Sequence, residues 1–284
     1  MAAPSLSAAV LVYNGARTIE RCIEQLGFCD EIVVVDDGST DGTWELIQRL
    51  PVRSIQHSHE TFAEQRAYAR DLTTGEWLLT MDADEYVTPE LRAAIRRAIA
   101  RTGRDGFYLR RRNPYPLGLR GAHWSWHPRL VRRDRSRWLP TDSPHAPLDT
   151  RGLRLRKLRG AHLEHEPVGD LASALRKSIN RNIILAEQLR ARGRRVGAWR
   201  LLASTLARFF KMYFRGGGFR HGRDGFVWAC SMAFEPFAKY AMLIARHPAV
   251  RTAAQDGGPG SYPPDAPVAV VEGVREGDGT ADGD

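Results

Sequence analysis

The stretch from Thr74 to Tyr86, TGEWLLTMDADEY, constrains this chain more than any other. Thr73-Thr74-Gly75 is a turn signal. Trp77 to Met81 is then a short apolar run without charge, the composition of a parallel strand covered by helices on both faces. The run ends in three carboxylates, Asp82, Asp84 and Glu85. Open α/β sheets bind ligands in the crevice outside the carboxyl ends of their strands. Asp82 and Asp84 are two residues apart, so an extended backbone puts them on one side. Such an oxygen pair suits a hard divalent cation, Mg²⁺ or Mn²⁺, whose shell ligand phosphates would complete. The same letters also describe a solvated acidic turn before a helix, since Thr88-Pro89-Glu90 is a good helix start. The rest of the chain has to decide between these readings.

Upstream, Ser7 to Tyr13 reads as a strand ending at the turn signal Asn14-Gly15. A helix is expected over about 16–27, with Ile19, Cys22, Ile23 and Leu26 at helical spacing. Glu31 to Val35 is a second buried strand, and it stops at Asp36-Asp37-Gly38-Ser39-Thr40-Asp41-Gly42-Thr43. A weaker strand near 52–57 and a helix over 61–72 lead back to the organising strand. Alternating strands and helices with short connections predict a doubly wound, mostly parallel sheet with right-handed crossovers. Three strand ends would then converge on one edge: Asn14, Asp36-Asp37 and Asp82-Asp84. A carboxylate after the second strand can accept from a base N–H or a ribose hydroxyl, while Ser39, Thr40 or Asp41 can simply cap the next helix.

LVYN at 11–14, VVVDDGSTDGT at 33–43 and TGEWLLTMDADE at 74–85 resemble the motifs of glycosyltransferase family 2. EQRAYA at 64–69 and the segment 218–245 resemble a narrower branch that includes bacterial lipopolysaccharide-core β-glucosyltransferases. The resemblance implies a GT-A fold, a nucleotide-diphosphate sugar donor with UDP-glucose as first choice, and a divalent cation. It implies that Tyr13, Asn14, Asp36 or Asp37, Gln65, Arg66, Asp82 and Ala83 hold the nucleotide sugar. Asp84, with Asp82 beside it, would hold the metal. Arg66, one turn before Arg70, would reach the diphosphate, which a planar guanidinium fork suits. Ala67 stands where the branch usually has Asn.

After a helix over 88–101 and a strand near 105–110, residues 113–150 read as an irregular, acceptor-side insertion dense in Pro, Trp, His and Arg. Trp124, Trp126 and Trp138 are candidates for stacking on sugars or for core packing. The arginines from Arg129 to Arg137 read as a basic strand edge in water. An inverting transfer needs a base for the acceptor hydroxyl. Where the branch carries His-Glu this chain has His145-Ala146, so Asp142, His145 and Asp149 are all candidates.

A half-exposed strand is expected over 153–162, then a long helix from Leu171 to Ala191. The apolar segments 199–214 and 226–245 carry charges and do not read as membrane spans; basic, aromatic amphipathic helices suit a membrane surface or ordinary packing. Residues 252–284 hold seven acids against one base and are rich in Gly, Pro and Ala, the composition of a disordered tail. The net charge of +9 therefore leaves the first 251 residues at +15 and points to an anionic partner. Three cysteines without a C-x-x-C, and an N-terminus without a basic leader, suggest a reducing cytoplasm. The expected organisation is a catalytic GT-A unit over 1–165, a helical amphipathic region over 166–250 and the acidic tail. The expected partner is a lipid-linked or phosphorylated glycan acceptor on the inner face of the plasma membrane, with no nucleic acid. A nucleotidyltransferase and a non-catalytic nucleotide- or glycan-binding protein are the alternatives; the first lacks a Gly-rich, Lys-bearing loop at 12–20.

Overall fold

The apolar runs form the centre of one sheet because their alternate residues serve two cores at once. The computed structural model describes residues 3–59, 61–101, 103–139, 147–166 and 169–245. In chain order the first elements are β1 (Leu6–Val12), α1 (Ile19–Gln25), β2 (Glu31–Asp36), α2 (Thr43–Ile47) and β3 (Arg53–Gln56). They are followed by α3 (Phe62–Asp71), β4 (Trp77–Asp82), β5 (Glu85–Val87) and α4 (Pro89–Ala100). Leu6, Ala8, Val10 and Val12 of β1 pack with Leu79 and Met81 of β4 on the side covered by α1 and α4. The alternate residues Ala9, Val33, Val35 and Leu78 face α3. A period of two along buried strands produces this division. β1 pairs in parallel with β2 and with β4, and β2 with β3, so the ends of β1, β2 and β4 lie along one edge.

Helix starts follow the local chemistry. Thr61 accepts from the Glu64 N–H while Glu64 reaches back to the Thr61 N–H, a capping box that opens α3. Thr88 caps α4 ahead of Pro89.

The expectation for 113–150 needs correction. β6 (Gly106–Pro114) is followed by β7 (Ala122–Arg132), an eleven-residue strand that pairs antiparallel with both β6 and β4. AHWSWHPRLVR hides its strand character because Pro128 interrupts it. The pairing register slips there: Phe107 faces Leu130 but Tyr108 faces Pro128, leaving Arg129 as the extra residue. A bulge tolerates proline's missing N–H and re-aims the extra side chain. β8 (Leu155–His165) pairs in parallel with β6 and antiparallel with β5, giving the order β3-β2-β1-β4-β7-β6-β8-β5. The sheet is thus parallel in its first half and mixed in its second. β5 closes the far edge, although only Ala83 and Asp84 separate it from β4. Backbone reach of about 3.5 Å per residue means the sheet must curl back over the end of β4.

α5 (Leu171–Ala191), α6 (Ala198–Phe210) and α7 (Gly222–Ile244) complete the described chain. They join the sheet through rings: Trp228 of α7 stacks on His123 of β7 with centroids 5.7 Å apart, and packs on Tyr115 at 5.2 Å. Burial, with Arg111, His165 and Arg208 nearby, pushes the His123 imidazole down from 6.5 to about 4. The unfolded chain therefore binds the additional proton between those values, so this contribution to stability falls as pH drops from 6.5 to about 4. An NMR titration of His123 is expected to show a midpoint near pH 4, and His123→Gln to flatten the slope of urea-measured stability across that window. A midpoint near 6.5 would contradict the buried stack.

Candidate active site

The loops after β1 and β2 are stitched into one wall. Asn14 has a left-handed backbone, φ 50°, which its short polar side chain tolerates. Its N–H donates to Ser39 Oγ at 2.8 Å, and its Oδ1 accepts from the Thr40 N–H at 2.8 Å. The Gly15 N–H donates to Thr43 Oγ1 at 2.9 Å. A Cβ on Gly15 would meet Val12 Cγ2 at 2.7 Å, so glycine permits the approach. This wall, β4 and α3 enclose a cavity of about 350 Å³ lined by Tyr13, Asn14, Asp37, Gln65, Arg66, Asp82, Ala83 and Asp84, with Lys177 entering from α5.

The two acids of the second loop separate here. Asp36 is fully buried and spent on the fold, accepting from the Ser39 N–H at 3.1 Å, from Ser39 Oγ and from Gln56 Nε2 at 2.8 Å. Asp37 lines the cavity, and its Oδ1 is buried with no hydrogen-bond partner. Burial raises the Asp37 carboxyl above its ordinary value, against a hydrogen bond from Ser58 and reinforced by the charge of Asp36. Gln65 is held by Nε2 donating to the His57 carbonyl at 2.7 Å, and its Oε1 is likewise buried without a partner.

Asp82 is clamped. Arg66 donates to Oδ1 at 2.7 Å and Arg129 to Oδ2 at 2.5 Å. Arg129 also donates to Glu85 Oε1 at 2.5 Å, and Arg111 reaches the same oxygen at 2.5 Å. Glu85 is fully buried, and its other oxygen accepts from the Asp82 N–H at 3.2 Å. Burial alone would raise the Asp82 carboxyl, but the Arg129 and Arg66 guanidinium groups outweigh it and hold it well below the usual carboxylate range. Arg129 is therefore no water-exposed strand edge: its side chain is 9% exposed. The Pro128 bulge turns it inward.

Asp84 lies beyond this clamp. Its Oδ2 is 3.2 Å from His165 Nε2, because β5 pairs with the last residues of β8. His165 Nδ1 is buried without a partner. The Asp84 carboxylate on the cavity wall suits a hard cation such as Mn²⁺ or Mg²⁺, with the remaining shell left to phosphate and water, and His165 adds a nitrogen donor beside it that Mn²⁺ accepts more readily than Mg²⁺. Among the described residues no group of three or more His, Cys, Asp or Glu is preassembled as a full metal cage. His165 was missed in the sequence; its only signal was a histidine at a strand end, in HLEHE. Glu166 next to it pairs with Arg17 at 3.2 Å and Arg21 at 3.3 Å and accepts from the Tyr86 hydroxyl at 3.1 Å.

A second cavity of about 440 Å³ adjoins Asp82 on its other side, lined among others by Arg66, Tyr108, Arg111, His127, Arg129 and Trp138. Of the three tryptophans only Trp138 lines it. Trp124 lies under Arg110 at 4.0 Å and Trp126 under Lys157 at 5.1 Å, in a separate recess. Arg70 bonds Asp71 and the Ser136 carbonyl and lines neither cavity. A larger groove of about 920 Å³ between α4 and β8 holds none of the strand-end residues. Asp149 is tied to Arg151 by hydrogen bonds that bring its carboxyl down to about 2, and it lines neither cavity. Asp142 and His145 lie outside the described residues.

A strand-end cavity lined by a D-x-D, with a basic cavity beside it, is an arrangement that suits a glycosyltransferase. Residues 7–160 match the family model for glycosyl transferase family 2, over half of the chain, and the chain belongs to that family. It is 28% identical over 251 residues to the lipopolysaccharide core biosynthesis glycosyltransferase LpsC of Rhizobium meliloti, covering 85% of this chain and 93% of that one. It is 25% identical to an uncharacterized glycosyltransferase of Rickettsia felis, covering 84% and 89%. A solved structure of S. aureus TarS residues 1-349 with UDP-GlcNAc aligns over 84% of each chain at 16% identity and a TM-score of 0.46, a likeness that carries no argument about ligands.

The clamp yields a stability prediction. Glu85→Gln leaves Arg111 and Arg129 facing a neutral amide in a buried site, and losing one partner of a buried ion pair costs about 3–5 kcal/mol. Urea unfolding is expected to show a loss of that order; a change below about 1 kcal/mol would mean the network is solvated.

Proposed function

We propose that this enzyme moves a sugar, with inversion, from a nucleotide-diphosphate donor to a lipid-linked or phosphorylated glycan acceptor during assembly of a bacterial surface glycan such as the lipopolysaccharide core. The observation that carries the reading is the single cavity where Asn14, Asp37, Arg66 and Asp84 meet. Asp37, whose Oδ1 has no donor, suits a base N–H or ribose hydroxyl. Arg66 suits the diphosphate on the far wall. UDP-glucose is the first donor to test, by resemblance to the β-glucosyltransferase branch. The LpsC relative's name supports the lipopolysaccharide setting, and work at the cytoplasmic face of the membrane would fit that setting.

Asp84 and His165 would hold a divalent cation, which supplies charge neutralisation for the departing diphosphate. Asp82 takes a different part. With both oxygens committed to Arg66 and Arg129, it orients the guanidinium that faces the donor. The acceptor enters through the second cavity, where three guanidinium groups against two carboxylates favour an anionic molecule. Asp149 is tied to Arg151 and lines neither cavity, which favours Asp142 or His145 as the base.

Asp84→Ala is expected to abolish divalent-dependent transfer in a folded protein; wild-type activity persisting in excess EDTA would overturn the metal reading. Asp37→Ala is expected to weaken UDP binding by about 1.5–3 kcal/mol, the range for a hydrogen bond to a charged group. Isothermal titration giving unchanged affinity would remove Asp37 from the pocket.

A further inference from the structure

We infer that α6 and the start of α7 form a docking face for an anionic lipid bilayer, an inference that deepens the reading of a membrane-linked acceptor. None of the thirteen residues of α6 is buried. A helix of a soluble domain ordinarily buries one apolar stripe and exposes a polar one. Here Leu201, Thr205 and Phe209 lie half-buried on one side, while the side facing solvent is apolar again. Trp199 is 80% exposed, and Leu202, Leu206, Phe210 and Phe214 are each more than half exposed. Their spacing of three, four, four and four residues makes one continuous stripe.

The stripe extends onto α7. Phe226 is 50% exposed and touches Phe209, whose ring centroid is 5.6 Å away, and Phe209 touches Phe210 at the same distance. Phe237 and Ile244, at 42% and 40%, continue it along α7 at heptad spacing. An apolar face of this extent on a single chain marks an interaction surface.

The charge around it selects the occupant. From Arg192 to Arg223 the sequence has nine Lys or Arg and no Asp or Glu. A second copy meeting this face through a two-fold axis would set that cationic belt against itself. An anionic bilayer answers both features: the cations meet headgroups, and the rings enter the acyl boundary. No helix among the described residues is long and apolar enough to cross a membrane, so the helices would lie on it. α5 links the face to the chemistry, since its Lys177 lines the donor cavity and its Arg181, one turn on, joins α6 and α7 through Glu235.

The test is co-sedimentation of the full chain with vesicles of phosphatidylcholine alone or with about one-quarter phosphatidylglycerol. Binding is expected to be weak with phosphatidylcholine alone, to rise with the anionic lipid, and to fall in high salt toward the phosphatidylcholine level without vanishing, because screening removes headgroup attraction and leaves apolar insertion. The exposed double variant Leu202→Glu, Phe210→Glu is expected to lower partitioning on the order of tenfold while donor turnover with a water-soluble acceptor stays at wild-type level. Equal binding by that variant, or no binding by the wild type, overturns the inference and leaves the enzymatic reading standing. Vesicle binding without any donor turnover does the reverse. Binding that appears only after removal of residues 252–284 assigns the face to the acidic tail instead. A dimer in sedimentation that the double variant dissociates assigns it to a second copy.

Discussion

The structure of the site depends on one constraint: a fully buried glutamate must be neutralised where it stands. Glu85 takes Arg129 and Arg111 on one oxygen and the Asp82 N–H through the other. An uncompensated charge at such a place is too costly to keep, so both arginines are held there. Arg129 can arrive only because Pro128 forces a bulge into β7, and once there it also seizes Asp82. Arg66 takes the other Asp82 oxygen from α3. α3, β6 and β7 are thereby locked around the end of β4.

This division of labour separates two aspartates that look alike in the sequence. Asp82 faces in and is spent on arginines; Asp84 lines the cavity, with His165 Nε2 3.2 Å from its Oδ2. The second acidic pair divides in the same way, Asp36 to the turn that holds Asn14's partner Ser39 and Asp37 to the cavity. In each pair one carboxylate builds the wall and its neighbour is left for a ligand. A helix over the sheet edge then brings Lys177 to the mouth.

The parallel half of the sheet was legible because its strands are uninterrupted apolar runs bounded by turns, and α3, α4 and α5 because their caps and spacing are explicit. Asn14, the Asp36-Asp37 pair, Asp82 and Asp84 followed from strand ends sharing one edge, and Arg66 from the family resemblance. β7 was not legible: its rings, histidines and Pro128 read as loop, and its burial comes from pairing with residues fifty positions upstream. The roles of Arg129, Arg111 and His165 were hidden for the same reason, since each depends on a long-range register. Asp36 could not be told from Asp37, because which carboxylate turns inward is decided by the hydroxyl and amide donors of Ser39 and Gln56.

The central claim is that this cavity binds a nucleotide sugar through Asp37 and Arg66 with a cation on Asp84. The most direct measurement is nucleoside diphosphate release by the wild-type chain across a panel of nucleotide sugars, with Mn²⁺ and with EDTA. The account predicts release from one donor well above the others, UDP-glucose first among them, and its loss in EDTA. Release from none of them, or release that ignores the metal, would contradict it.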